Sequence, residues 1–285
     1  MFTSKDYGAW IILNKTEKDI LEKVKKFKPL KDWNINIYRG ILTGFNEAFI
    51  IDEETKNKLI LEDKKSKEII KPLLRGRDIK RYSYDFKNLY LINTHNGIKE
   101  KNILPIDINK YSAIKKHLDK YYSDLEVRQD KGITPYNLRN CAYLEDFDKP
   151  KIIYAETTIS PNFYYDNENF IAEKTNFIMT GENLKYIMAV LSSKLGFYIF
   201  YNFYSEITLG DVGFQYRKSS LEEFPIPEVD KKTEKEIINL VEKIIEGKKK
   251  GIDTREFEEE IDKIVYGLYN LNENEIKIIE GESND

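Results

Sequence analysis

The sequence predicts an α+β fold: a mixed α/β body followed by a C-terminal helical hairpin. Three observations lead there. Apolar runs of strand length recur around residues 35–51, 89–92 and 151–155. A longer apolar stretch of helix length occupies residues 184–204. Beyond residue 227 the apolar positions fall at the spacing of two amphipathic helices.

Taken in order, Asp19 to Lys28 is a short basic helix, with Ile20, Leu21, Val24 and Phe27 at helical spacing and Pro29 ending it. From Trp33 the pattern is strand-like. Ile35 and Ile37 precede Gly40-Ile41-Leu42-Thr43-Gly44-Phe45-Asn46, and Ala48-Phe49-Ile50-Ile51 follows, so strands are expected around tight glycine turns. Glu54 to Leu74 holds a short helix before Pro72, with Ile69 to Leu74 as core, and then a loop at Arg75-Gly76-Arg77. Asn88 to Asn93, with Leu89, Tyr90, Leu91 and Ile92, is a short buried strand, and Lys110 to Tyr122 is a helix with Ile114, Leu118 and Tyr121 on one face. Residues 123–151 are polar and turn-rich. Lys151-Ile152-Ile153-Tyr154-Ala155 is a strand, and Asn162 to Met179 alternates as a hairpin turning at Asn167 to Asn169. Leu184 to Tyr204 is the longest apolar helix, followed by a polar loop at 208–213. The prolines of Phe224-Pro225-Ile226-Pro227 stop regular structure. Two helices follow, one bearing Ile237, Leu240, Val241, Ile244 and Ile245, the other Phe257, Ile261, Ile264, Val265 and Leu268. The expected division is a connector over residues 1–32, a body over 33–227 and a helical region over 228–285.

Composition narrows the function. A chain of 285 residues, 41% hydrophobic and 33% charged, with 20 Tyr and 15 Phe, can bury a large core and is not disordered. One cysteine, Cys141, closes no internal disulfide, and the first residues lack the apolar core of an export signal, so the cytoplasm is the expected compartment. Lys185, Ser192, Ser193, Lys194 and Asn202 interrupt the 184–204 run, which argues against a membrane span. The net charge of −3 is unevenly spread. From Glu222 onward 10 Lys and Arg face 19 Asp and Glu, leaving the body at +6, a balance compatible with a phosphate-facing surface.

Catalytic signatures are missing. S-adenosylmethionine and dinucleotide sites need a glycine-rich turn between strand and helix, and no Gly-x-Gly occurs. The adenine-methylating motif needs adjacent prolines, and none are adjacent. Glu62-Asp63-Lys64 has the spacing of a magnesium nuclease motif, but it sits in a polar stretch of a highly charged chain. His95 fits a strand-ending turn and His117 a helix surface; two histidines are too few for common zinc sites. No catalytic or metal-binding residue is assigned.

What remains is a set of loops mixing cations, amides, hydroxyls and aromatics, the groups that bond phosphates and base edges. Arg75, Arg77, Lys80 and Arg81 are candidates for phosphates. Arg128, Arg139, Lys174, Asn176, Gln215 and Arg217 are candidates for bases, with Lys131, Tyr136, Thr175 and Lys218 beside them. Any one such loop is equally well an ordinary solvated surface. Arg77 has an alternative partner in Asp78.

These residues lie in ordered motifs: Tyr38-Arg39-Gly40-Ile41-Leu42-Thr43-Gly44-Phe45-Asn46-Glu47-Ala48-Phe49, Ile70-Lys71-Pro72-Leu73-Leu74-Arg75-Gly76-Arg77-Asp78-Ile79, Tyr136-Asn137-Leu138-Arg139, Lys149-Pro150-Lys151-Ile152-Ile153, Leu191-Ser192-Ser193-Lys194 and Phe224-Pro225-Ile226-Pro227. From about Trp33 to Glu280 the chain resembles the TaqI-like C-terminal specificity domain of adenine-specific DNA methyltransferases and type IIG restriction-modification enzymes. Residues 1–32 resemble the linker that follows their methyltransferase domain. The resemblance implies a target-recognition domain for double-stranded DNA that works with a methyltransferase or methyltransferase-nuclease domain or subunit. S-adenosylmethionine and magnesium are then expected only in that catalytic partner. Recognition loops vary with their target, so no base-reading residue is carried over singly. The alternative is an interaction or regulatory subunit acting through the acidic helical tail.

Overall fold

The computed structural model describes residues 14–205 and 213–281, and the backbone of two paired strands, Phe2–Ser4 and Trp10–Ile12. Most of the polar loop expected at 208–213 lies outside the described residues.

A four-stranded antiparallel sheet runs through the middle of the molecule, in the order Phe163–Asp166, Lys151–Ala155, Asn176–Gly181, Ile35–Arg39. Its inner strand Lys151–Ala155 is buried at every position because both faces are covered. Ile37, Ile152, Tyr154, Phe163, Phe177 and Met179 point into one core, shared with the helices of residues 184–199 and 231–268. Ile153, Tyr164 and Ile178 point into a second core. That core is closed by a smaller mixed sheet, ordered Ile171–Ala172, Ile70–Leu74, Tyr90–Ile92, Ile50–Ile51, and by the helix Ser112–Asp119. Between the inner strand Lys151–Ala155 and the edge strand Phe163–Asp166, Lys151 and Asp166 form a fully buried ion pair at 2.6 Å. Lys151 also donates to the Phe147 carbonyl at 2.7 Å, and Asp166 accepts the amides of Glu168 and Phe170, so both charges are satisfied.

Several expectations need correction. Residues 162–179 do not form a hairpin. Phe163–Asp166 pairs with Lys151–Ala155, and after the turn at Asn169 (φ +62°) Ile171–Ala172 pairs in parallel with Leu73 and Leu74 of the other sheet. Alternation identified the strands but carried no information on partners. Asn46–Phe49 is a helical turn ahead of the strand Ile50–Ile51. The 184–204 run is three pieces: Leu184–Ser192, Lys194–Ile199 and a π-helical turn over Phe200–Tyr204. The break is built by Ser193, whose extended backbone lets its hydroxyl accept from the Gly196 amide at 2.9 Å and donate to the Val190 carbonyl at 2.7 Å. Asp262 accepts the Lys194 amide at 2.8 Å.

The tail carries a third helix, Glu273–Glu280, beyond Lys231–Lys249 and Arg255–Leu268. It packs on the first described helix, Lys15–Val24, where Lys23 meets Glu275 at 2.7 Å. The prolines of 225–227 do not end regular structure. Pro225–Ile226 pairs with Lys28–Pro29, and the hydroxyls of Tyr269 and Tyr186 donate to the carbonyls of Pro225 and Pro227. The first core therefore draws on Ile20 and Val24, on the sheet, and on Ile237 to Tyr269 alike. Among the described residues no helix is long and apolar enough to cross a membrane.

Candidate nucleic-acid interface

The chain passes from the small sheet to the central one at residues 173–175, and the basic loops gather at that crossing. The Ile41 amide donates to the Ala172 carbonyl at 2.7 Å, and the Gly40 amide to the Asn176 carbonyl at 2.8 Å. A Cβ on Gly40 would lie 2.2 Å from the Glu173 carbonyl oxygen, so only glycine permits this approach. The Thr175 hydroxyl donates to Glu173 at 2.7 Å and accepts the Gly76 amide at 2.9 Å, which fastens the 75–78 turn to the same place.

Lys174 is left exposed at the centre, on the wall of three adjoining clefts. One is bounded by Arg39 and Arg139, one by Arg75 and Arg77, and one by Asn46 and Asp130. Gln215 joins through backbone pairing with Thr157, which lines the cleft of Arg77. Of the cations here, Arg77 and Lys174 have no carboxylate partner among the described residues. Arg39 meets Glu156 at 2.5 Å and Arg139 meets Asp130 at 3.2 Å, both arginine side chains remaining about half exposed (53%).

The remaining sequence candidates divide by what they touch. Arg75, not Arg77, pairs with Asp78, through two bonds of 3.0 and 3.1 Å onto a buried carboxylate that also accepts the Arg75 amide. Arg81 points the other way, to Glu258 of the tail at 3.0 Å. Arg128 is buried. Its guanidinium lies on the Phe49 ring and donates to the carbonyls of Thr43, Asp130, Pro135 and Asn137, and burial lowers its pKa to about 10. Asn176 is buried too, its amide donating to the Leu74 carbonyl at 2.8 Å. Lys131 is exposed and donates to the Glu126 carbonyl, while Lys80 donates to that of Arg77 at 3.2 Å. Tyr136 donates to Asp119 at 2.5 Å. Arg217 donates to Gln215 at 3.1 Å, and Lys218 lies 3.6 Å from Glu222.

Burial disfavours the charged form of both histidines. Burial pushes His95 down, and its Nδ1 accepts the Gly97 amide at 3.1 Å in the expected turn. His117 is not on the surface: it is buried, pushed down by that burial, and meets the Ala48 carbonyl at 3.1 Å. Glu62 lies 3.9 Å from Lys116, and Asp63 accepts from Ser112, so both carboxylates of the Glu62-Asp63-Lys64 triplet are engaged in surface pairing.

The family model of the TaqI-like C-terminal specificity domain matches residues 71–226, more than half of the chain. The chain belongs to this family. All four sequence-singled loops of the specificity domain, 75–82, 128–139, 173–176 and 215–218, fall inside the matched span; Arg39 falls outside it. The chain is 26% identical over 247 residues, 82% of its own length and 78% of the relative's, to the type II methyltransferase M.MjaIV of Methanocaldococcus jannaschii. Its fold is shared with two solved structures, each 14% identical. One is the type IIL restriction-modification enzyme MmeI in complex with DNA (TM-score 0.63, covering 88% of this chain and 35% of that one). The other is the type IIG restriction endonuclease BpuSI (TM-score 0.51, covering 90% and 34%). The chain thus spans about a third of the length of these solved structures.

Arg39 is the residue at this face that sequence reasoning passed over. Its signal was present, a cation directly before a glycine that the fold needs for close approach.

Proposed function

We propose that this specificity domain reads double-stranded DNA for a restriction-modification system, beside a methyltransferase or methyltransferase-nuclease domain or subunit that supplies the chemistry. The observation that carries it is the convergence of Arg39, Arg77, Arg139 and Lys174 on one face, within a fold of this family. Cations of that kind hold phosphates and set register, and the amides and hydroxyls among them face base edges. The chain's own residues do not fit S-adenosylmethionine: it has no Gly-x-Gly turn to bring backbone amides against the cofactor. We therefore assign S-adenosylmethionine and magnesium to the partner, and no catalytic step to this chain.

The test is binding to random duplexes over a salt series. Four phosphate contacts give a slope of log affinity against log salt of roughly −3.6, and Lys174→Ala makes it shallower by about 0.9 for all sequences alike. A flat response, or no binding with or without a methyltransferase partner, rejects the reading. The alternative of a tail that captures partners finds less support, since the apolar faces of the 231–249 and 255–268 helices are spent on the chain's own core.

A further inference from the structure

The loop of residues 128–139 is rich in charge, yet it also presents an aliphatic side chain to solvent. Ile133 stands 70% exposed at the tip, between Lys131 and Arg139. Exposed aliphatics are ordinary on a protein surface, and Leu104, 79% exposed, lines the same cleft as Ile133. Ile133 differs in what holds it. The loop backbone is fixed from within by Arg128, a cation taken out of water to bind four carbonyls. The Gly132 amide donates to the Asn137 carbonyl at 2.9 Å, the Thr134 hydroxyl to the Asn137 side chain at 2.6 Å, and the Ile133 amide to Asn96 at 2.8 Å. A loop that merely turned the chain in solvent would have no need of a desolvated guanidinium. Rigid presentation of one side chain is what a recognition contact requires. The loop also borders the proposed DNA face, through Asp130 and Arg139 on the clefts that Lys174 shares.

We propose that Ile133 is a specificity-determining residue that packs against the C5-methyl group of a thymine in the major groove, the base-edge feature an aliphatic side chain can recognise. This rests on the DNA-reading function above. Arg128 is the positioning residue that holds the tip in place.

The experiment uses the full chain. A random duplex pool is selected for binding, and each thymine of the enriched site is then replaced by uracil, which removes only the methyl group. One replacement weakens the wild type about fourfold, the worth of one buried methyl. Ile133→Ala binds the thymine and uracil duplexes equally, with the wild-type salt slope, while Leu61→Ala, another exposed aliphatic remote from these loops in sequence, keeps the thymine preference. The proposal is overturned if the selected site holds no thymine, if every uracil duplex binds as well as its parent, or if Ile133→Ala keeps the methyl preference. A loss of affinity in Ile133→Ala that is equal for thymine and uracil duplexes and is accompanied by altered base stacking also overturns it, in favour of an intercalating wedge. Absence of any duplex binding by the wild type instead rejects the DNA-reading function itself.

Discussion

His117 shows how one side chain ties stability to pH. Burial beside Tyr121 favours the neutral ring and outweighs the hydrogen bond to the Ala48 carbonyl, which pulls the other way, so its folded pKa lies below the ordinary value of 6.5. Below pH 6.5 the unfolded chain binds a proton that the folded chain refuses, so the stabilising contribution is present above that pH and is lost as pH falls toward the folded pKa. Thermal melts are expected to show midpoints falling from pH 6.5 to 5, and His117→Gln, which keeps a donor for Ala48, makes that limb shallower while buried His95 keeps its own share. An equally steep limb in the variant rejects the assignment. The cations make the complementary point about legibility. Arg75, Arg77, Arg81 and Arg128 are alike as letters, and the acceptors that sort them are partly near and partly far: Asp78 is three residues from Arg75, whereas Thr43 is 85 residues from Arg128 and Glu258 belongs to the tail. Residue type announced a basic loop; only the fold separated struts from exposed contacts.

Among the elements, the break at Ser193 has the most to lose. Gly196 must pass beneath the end of the preceding helix, where an added Cβ would stand 2.1 Å from the Val190 carbonyl oxygen. Gly196→Ala is expected to cost about 3 kcal/mol by overpacking, against about 2 kcal/mol for Ser193→Ala, which loses the cap and the bond to the Val190 carbonyl; denaturant melts of the two variants compare them directly. The sequence displayed this stretch as one apolar run because periodicity does not register a cap that is also a hinge. Strand positions were readable for the same reason that strand partners were not. Lys151 to Ala155 is apolar enough to be a buried strand wherever it pairs, whereas the parallel pairing of Ile171 with Leu73 depends on a crossing near Gly40 that no local pattern encodes.

At the scale of the molecule, the acidic tail is part of the body's first core. Ending the chain after Pro227 removes Ile237, Leu240, Val241, Ile244, Ile261, Val265, Tyr266 and Tyr269 from that core and the Glu258 partner from Arg81. At about 1.5–3 kcal/mol for each buried apolar side chain, the loss is as large as a typical total stability of about 5–15 kcal/mol or larger. The truncated chain is therefore expected to lose its cooperative melt and near-ultraviolet dichroism; a sharp, native-like transition would show that the tail is dispensable. Charge counting separated the tail from the body because it measures surface, while burial joins them.

The contact of the first described helix with the last gives the specificity domain a property of a closed ring. With Lys23 bonded to Glu275 and to the Asn270 carbonyl, the route of the chain is set by neighbours more than by its direction of travel. A circular permutant, its two ends joined by a flexible linker and reopened at the exposed Gly251, is expected to keep both faces of the central sheet. A catalytic body joined at such a new opening would meet the same loops from a different side.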